Sequence, residues 1–257
     1  MRTLSLDIKE QIATLTIQSP PANALSTVLL NDLSSHLDEI EANKSVKAVI
    51  LKAEGRFFSA GADIKEFTSL QEASDYEATA KIGQNLFNRM ETFHVPIIAA
   101  IHGAALGGGL ELAMACHIRV VTKDAKLGLP ELTLGIIPGF AGTQRLPELV
   151  GNPKAYEMIL TGDAISGEEA AKLGLANHAV GEEELETTVQ TIASKIIAKS
   201  KPTITKVMEL IPYAKVASFQ SGIDAEAKAF GEIFGNEDAK EGVQAFIEKR
   251  KPNFKDK

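Results

Sequence analysis

Glu111 stands among the apolar residues Leu110, Leu112, Ala113, Met114 and Ala115, three residues beyond Gly108 in the triple glycine Gly107-Gly108-Gly109. In a helix that spacing puts Gly108 and Glu111 on one face, with a rise of about 4.5 Å between them. A carboxylate among apolar neighbours is costly unless it is paired or put to use. The helix start entered through the glycines offers unsatisfied N–H groups and a positive dipole end, an arrangement that stabilises an oxyanion. A second carboxylate, Glu131, follows Pro130 twenty residues later. Alone, Glu131 reads as a charge complementing a helix whose first turn holds Pro130. Two carboxylates beside a dry oxyanion site can do more: together they position a water and exchange protons with it.

Glycine stands within two stretches of otherwise buried character, once in Arg56-Phe57-Phe58-Ser59-Ala60-Gly61-Ala62-Asp63 and four times in His102 to Glu111. Each lies where a strand hands over to a helix, the place where α/β folds put ligands. On glycine content alone, close packing against a neighbouring strand serves as well as close approach to a ligand. Neither stretch is a phosphate loop, since no Lys-Ser or Lys-Thr follows the glycines, and neither completes a dinucleotide fingerprint. The absence of a G-x-S-x-G elbow weakens a serine-hydrolase reading. The five histidines show no H-x₃-H or H-E-x-x-H spacing, so no metal site is expected. Cys116, the one cysteine, rules out an intramolecular disulfide and reads as a small buried hydrophobe.

The elements that would position these residues follow from periodicity. Residues 3–9 and 11–18 alternate apolar and polar, predicting two antiparallel strands. Leu29, Leu30, Leu33, Leu37 and Ile40 recur at helical spacing, and Val46 to Ala53 reads as a buried strand. The alternation continues with a helix over 71–92, a strand over 97–101, a helix over 108–116 and a strand over 118–122, which together predict an α/β core. Beyond Gly151 the strand signal fades, and helices are expected over 153–160, 167–173, 182–199, 203–211 and 217–234. We expect a core over residues 1–200 carrying the active site and a helical C-terminal region over 201–257.

The chain has 257 residues, 44% hydrophobic and 24% charged, a composition able to enclose a large core. Its net charge of −7 provides no positive field for a nucleic-acid backbone, although Lys249-Arg250-Lys251 is a local basic run. The most apolar stretch, 95–110, is shorter than the ~20 residues of a membrane span. The N-terminus shows no signal-peptide pattern. A cytoplasmic protein is expected.

Three blocks, FFSAGADIKE at 57–66, HGAALGGGLELAMACHIR at 102–119 and LPELTLGIIPGFAGTQRL at 129–146, resemble the crotonase, or enoyl-CoA hydratase, superfamily. The likeness extends to FIEKRKPNF at 246–254 and is greatest with bacterial fatty-acid β-oxidation hydratases. It implies a spiral of ββα units with a helical C-terminal region that mediates trimerisation, trimers pairing into hexamers. The amphipathic stretch 225–234, with Phe230, Ile233 and Phe234, fits such an interface. The resemblance further implies an acyl-CoA thioester substrate, with Glu111 and Glu131 as the catalytic glutamates. Ala62 and Gly108 match the two peptide donors of the oxyanion hole, and Arg56, Ala60, Asp63, Ile64 and Lys249 fall at CoA-binding positions. No metal or cofactor is implied. The expected reaction is hydration of a 2-enoyl-CoA. A branched-chain hydratase such as one for 3-methylglutaconyl-CoA shares both glutamates, whereas a Δ3-Δ2 isomerase needs only one base. An RNA-binding role is disfavoured by the acidic charge. Two positions depart from the family pattern: His117 replaces an aspartate, and Phe140 interrupts a loop of small residues, where its ring is expected to narrow or reshape the acyl pocket.

Overall fold

The computed structural model describes residues 3–63, 66, 73–216 and 237–257. Ile64 and the stretch 217–234, with Phe230, Ile233 and Phe234, lie outside the described residues. The chain opens on a hairpin of β1 (Leu4–Lys9) and β2 (Ile12–Ile17), paired so that Lys9 faces Ile12 across a two-residue turn. Glu10 and Gln11 both have positive φ, the geometry that matches a tight turn to the twist of its strands. Helix α1 (Thr27–Ala42) begins where Ser26 accepts the N–H of Leu29, and it buries the five predicted leucine and isoleucine positions.

Next come β3 (Ala48–Ala53), α2 (Ala73–Glu91), β4 (Ile97–Ile101), β5 (Ala104–Leu106), α3 (Gly108–Met114), β6 (Ile118–Thr122) and β7 (Lys126–Gly128). A 3₁₀ turn (Glu131–Leu134) leads to α4 (Gly142–Val150), α5 (Asn152–Thr161), β8 (Ile165–Ser166), α6 (Gly167–Leu173), β9 (His178–Val180) and, past a second 3₁₀ turn (Glu182–Glu184), α7 (Leu185–Ile197). The described helices after that are α8 (Lys201–Leu210), α9 (Tyr213–Val216) and α10 (Glu237–Ile247). The main sheet has the order β1-β2-β3-β4-β6-β9, parallel from β2 onward. Its middle strands read as unbroken apolar runs because both faces are covered. On one face Leu33, Leu37, Phe87, Met90 and Leu112 belong to the principal core; on the other, Ile50, Ile98 and Val120 meet Val189 and Ala193 of α7. The described part of the C-terminal region is tied to the core through buried Lys47, which pairs with Asp256 at 2.6 Å and donates to the carbonyls of Ile197 and Lys199.

The expectation of a purely helical last third needs correction: β8 and β9 fall within it. The short strands β5 and β7 were also absent from the periodicity reading. With two or three residues each, these strands are too short for alternation to show, and backbone pairing rather than side-chain pattern defines them. They position both candidate glutamates, since β5, β7 and β8 form a second sheet and Glu111 and Glu131 follow β5 and β7.

Candidate active site

The parallel pairing of β5 with β7 sets Leu106 opposite Gly128, and the N–H of Gly107 donates to Gly128 O at 2.9 Å. Glu111 lies five residues beyond the end of β5 and Glu131 three beyond the end of β7. A separation of twenty residues in sequence thus becomes adjacency at the top of two neighbouring strands. Gly107 makes this possible twice over. Its φ of +52° starts the turn into α3, and a Cβ there would stand 3.0 Å from Oε1 of Glu131.

The stretch after β3 joins the β5–β7 pair through a single bridge. Ser59 pairs with Ala105, its N–H donating to Ala104 O and its carbonyl accepting from Leu106 N–H. Its hydroxyl donates to Asn23 O and accepts from the N–H of Gly61. These bonds draw Gly61 and Ala62 against the start of α3: a Cβ on Gly61 would be 3.4 Å from Gly108 N, and one on Gly108 would be 3.2 Å from Ala62 N. The peptide nitrogens of Ala62 and Gly108 are therefore neighbours. Among the described residues neither donates to a protein acceptor. Two free donors side by side at a helix start suit one oxygen that gains negative charge.

Ala62, Gly108, Glu111 and Glu131 all line one cavity of about 890 Å³, together with Ala60, Ala80, Pro130, Leu134, Ile136, Ile137 and Phe140. Glu111 is 1% exposed and Glu131 8%. Oε1 of Glu111 accepts two backbone N–H groups, from Phe140 at 2.8 Å and Gly142 at 2.6 Å. Burial nevertheless pushes its pKa up to about 7, with the Glu131 carboxylate adding to the rise and the two N–H donors and Arg145 opposing it. Burial also raises Glu131, whose Oε2 is buried without a hydrogen-bond partner. Glu111 is thus poised near neutrality to take up or release a proton beside a second carboxyl that is also raised, an arrangement suited to accepting and donating protons at a single water. The rest of the cavity wall is apolar and open to solvent at Leu134, Ile136 and Ile137, which are 62%, 47% and 72% exposed.

Of the residues matched to CoA binding, Ala60 reaches the cavity wall. Arg56 is exposed and stacks over its neighbour Phe57, with 5.5 Å from its guanidinium carbon to the ring centroid. Asp63 adjoins the site through its N–H to Leu25 O without lining the cavity. Lys249, at positive φ, sits in the C-terminal tail away from it. Phe140 does enter the wall. Its ring lies against Gly83, where a Cβ would come within 2.4 Å of it, and it meets Phe87 edge-on at a centroid distance of 5.5 Å. His117 is half-buried, a neutral ring whose Nδ1 accepts Ile97 N–H and whose Nε2 donates to Glu91 O; loss of solvent around it lowers its pKa to about 4. Cys116 is buried and its thiol is pushed up to about 12 by burial, an inert packing group.

Sequence reasoning assigned no role to Gly142 or Arg145, although both stand in the block 129–146. A signal for Gly142 existed in the glycine itself. The Arg145 signal, a charged residue in a helix beside Leu146, had nothing to distinguish it from a solvated face. Among the described residues no cluster of three or more His, Cys, Asp or Glu side chains could hold a metal ion, and no helix is long and apolar enough to cross a membrane.

A sequence profile described as Enoyl-CoA hydratase/isomerase matches residues 7–257. The chain is 57% identical over 256 residues to a probable enoyl-CoA hydratase of Bacillus subtilis (strain 168), covering 99% of both chains. It is 39% identical over 253 residues to a short-chain-enoyl-CoA hydratase of Clostridium acetobutylicum, covering 98% of this chain and 97% of that one. Among solved structures, an enoyl-CoA hydratase from Bacillus anthracis superposes with a TM-score of 0.94 at 36% identity, covering 99% of this chain and 100% of the other.

Proposed function

Since the chain belongs to the enoyl-CoA hydratase/isomerase family, we propose that it adds water across the double bond of a trans-2-enoyl-CoA to give a 3-hydroxyacyl-CoA, as a step of fatty-acid β-oxidation. The observation that carries this reading is the convergence on one cavity of two unengaged peptide donors, Ala62 and Gly108, and two buried carboxylates, Glu111 and Glu131. The thioester oxygen binds between the two N–H groups, which stabilise the negative charge it gains as C3 is attacked. Water held by the glutamates gives a proton to the pair and its oxygen bonds to C3. The C2–C3 π electrons move toward the carbonyl as an enolate, and C2 then takes a proton from the pair. Water is consumed entire, the glutamates end as they began, and no metal or redox cofactor takes part.

Both carboxylates are retained and both face the cavity, which favours hydration over isomerisation, where a single base moves one proton. Ala60 at the mouth, with Arg56, Asp63, Ile64 and Lys249, is the proposed CoA contact set. We further propose a cytoplasmic homotrimer or a pair of trimers. Tyr156 and Leu160, one turn apart on α5 and 67% and 65% exposed, are apolar area that assembly would cover. Light scattering that shows a 27.5 kDa monomer at micromolar concentration removes the oligomer from this reading.

The test of the activity is direct. Purified protein is mixed with 2-enoyl-CoA esters of increasing length, and loss of the conjugated thioester absorbance is followed. Hydration of at least one ester is expected, with kcat lowered about 10²-fold by either Glu111→Gln or Glu131→Gln and CoA-ester binding retained. No hydration of any ester by wild type overturns the reading.

A further inference from the structure

The oxygen Oε1 of Glu111 is held by a turn, and that turn is fastened to one face of α2. Gly83 receives the ring of Phe140, and Gln84 Nε2 donates to Gly139 O at 2.9 Å. Phe87 packs edge-on against Phe140. One turn further on, Asn88 and Glu91 hold Arg145, which is 4% exposed: Nη2 donates to Asn88 Oδ1 at 2.6 Å and Nε to Glu91 Oε2 at 3.0 Å. The remaining arm, Nη1, donates to Phe140 O at 2.9 Å. Phe140 is thereby fixed through both peptide groups that flank its Cα, its carbonyl by Arg145 and its N–H on Glu111.

We propose that Arg145 is a positioning residue for Glu111: its guanidinium anchors the Phe140 carbonyl to α2, so that the N–H groups of Phe140 and Gly142 hold Oε1 in one place and leave Oε2 to the reacting water. The planar fork suits this task, because three bonds in fixed directions define an orientation that a single ammonium cannot. Arg145 also brings a positive charge into the neighbourhood of a buried carboxylate. The other charged group facing Glu111 is Glu131, from the 3₁₀ turn, and its effect has the opposite sign. Removing the guanidinium thus both loosens the cradle and favours the protonated form of Glu111.

The effect on rate rests on the hydratase reading; the effect on Glu111 itself does not. The full chain carrying ¹³C-carboxyl glutamate is titrated by NMR, the Glu111 resonance being assigned by its loss in Glu111→Gln. Arg145→Gln raises the titration midpoint by about half a pH unit or more, whereas Arg145→Lys, which keeps the charge and loses only the orientation of the cradle, raises it by less. Both variants lower kcat for crotonyl-CoA by about tenfold or more with little change in KM. In the Glu111→Gln background the further loss from Arg145→Lys falls below about twofold, since residues that act through one another are not additive.

Wild-type kcat and an unmoved midpoint in folded Arg145→Gln overturn the proposal. A full tenfold loss from Arg145→Lys in the Glu111→Gln background also overturns it, because Arg145 would then act other than through Glu111. If Arg145→Gln does not fold, Arg145→Lys and its double variant decide alone. Absence of hydration by wild type, with the midpoint shift present, defeats the hydratase reading and leaves the positioning of Glu111 standing.

Discussion

Gly142 has its backbone where a side chain would collide with Glu111: its N–H donates to Oε1 at 2.6 Å, and a Cβ added to it would lie 2.9 Å from that oxygen and 3.1 Å from Cγ. Its φ lies outside the left-handed region, so alanine fits the backbone and meets the Glu111 side chain and, at 3.0 Å, Cδ1 of Leu129. Gly142→Ala is expected to lower kcat for enoyl-CoA hydration by about tenfold or more, because small misplacements of a reacting group are magnified in rate. The melting temperature should fall by only a few degrees. Unchanged kcat in this variant would mean that Glu111 does not need its observed position.

Glu111 weakens the fold it serves. A carboxyl raised to about 7 stays protonated in the folded chain, while the unfolded chain releases its proton near 4.5. Its contribution to stability is full below pH 4.5 and is lost as pH rises toward 7. Glu111→Gln keeps an oxygen to accept the two N–H groups and has no charge to bury. The variant should therefore gain stability over wild type as pH rises through this window, by up to about 3 kcal/mol at pH 7 and above. Denaturant unfolding at pH 5 and pH 8 checks this; an equal difference at both values would show that Glu111 is not raised.

His117 carries the opposite dependence. Its imidazole is lowered to about 4 by burial, so between pH 6.5 and 4 the unfolded chain takes up a proton that the folded chain refuses. Stability is full above 6.5 and falls through that window by about 1.4 kcal/mol per pH unit. Replacement by Gln, which can still accept from Ile97 N–H, should flatten this part of the stability curve by about 3 kcal/mol in total. Parallel wild-type and variant curves between pH 6.5 and 4 would place the acid sensitivity elsewhere.

The ring of Phe140 fills the space between Gly108 and Gly83 and forms part of the cavity wall beside α2. Phe140→Ala retains the N–H that holds Glu111 and opens this wall. The expected result is a shift of relative kcat/KM toward longer enoyl chains by about tenfold for each one or two methylene groups newly accommodated. A chain-length profile that does not move would exclude Phe140 as a determinant of acyl length.

Long elements were legible because burial imprints periodicity: the leucines of α1 and the apolar runs of β3 and β4 each announced their structure. The pair Glu111 and Glu131 was legible as chemistry only jointly, from an apolar setting in one case and a recognisable block in the other. What joins them, the pairing of three-residue β5 with three-residue β7, left no pattern, since backbone hydrogen bonds carry no residue signature. The same holds for the N–H groups of Phe140 and Gly142. His117 and Phe140, noted as departures, turn out to be accommodated by partners far away in sequence: Ile97 and Glu91 for the first, Gly83 and Phe87 for the second.

The two glutamates rise from the β5–β7 pair, while Ala62 is attached to that pair through the bridge of Ser59 with Ala105. On the proposed chemistry, the grip on the thioester comes partly from one segment and the proton traffic from another. Backbone provides the grip, and it persists whatever side chains stand at 111 and 131. Exchanging one carboxylate therefore alters which bond is made or broken without dismantling enolate stabilisation. On that chemistry, substrate activation and proton transfer are separable, because a change at 111 or 131 leaves the two peptide donors in place.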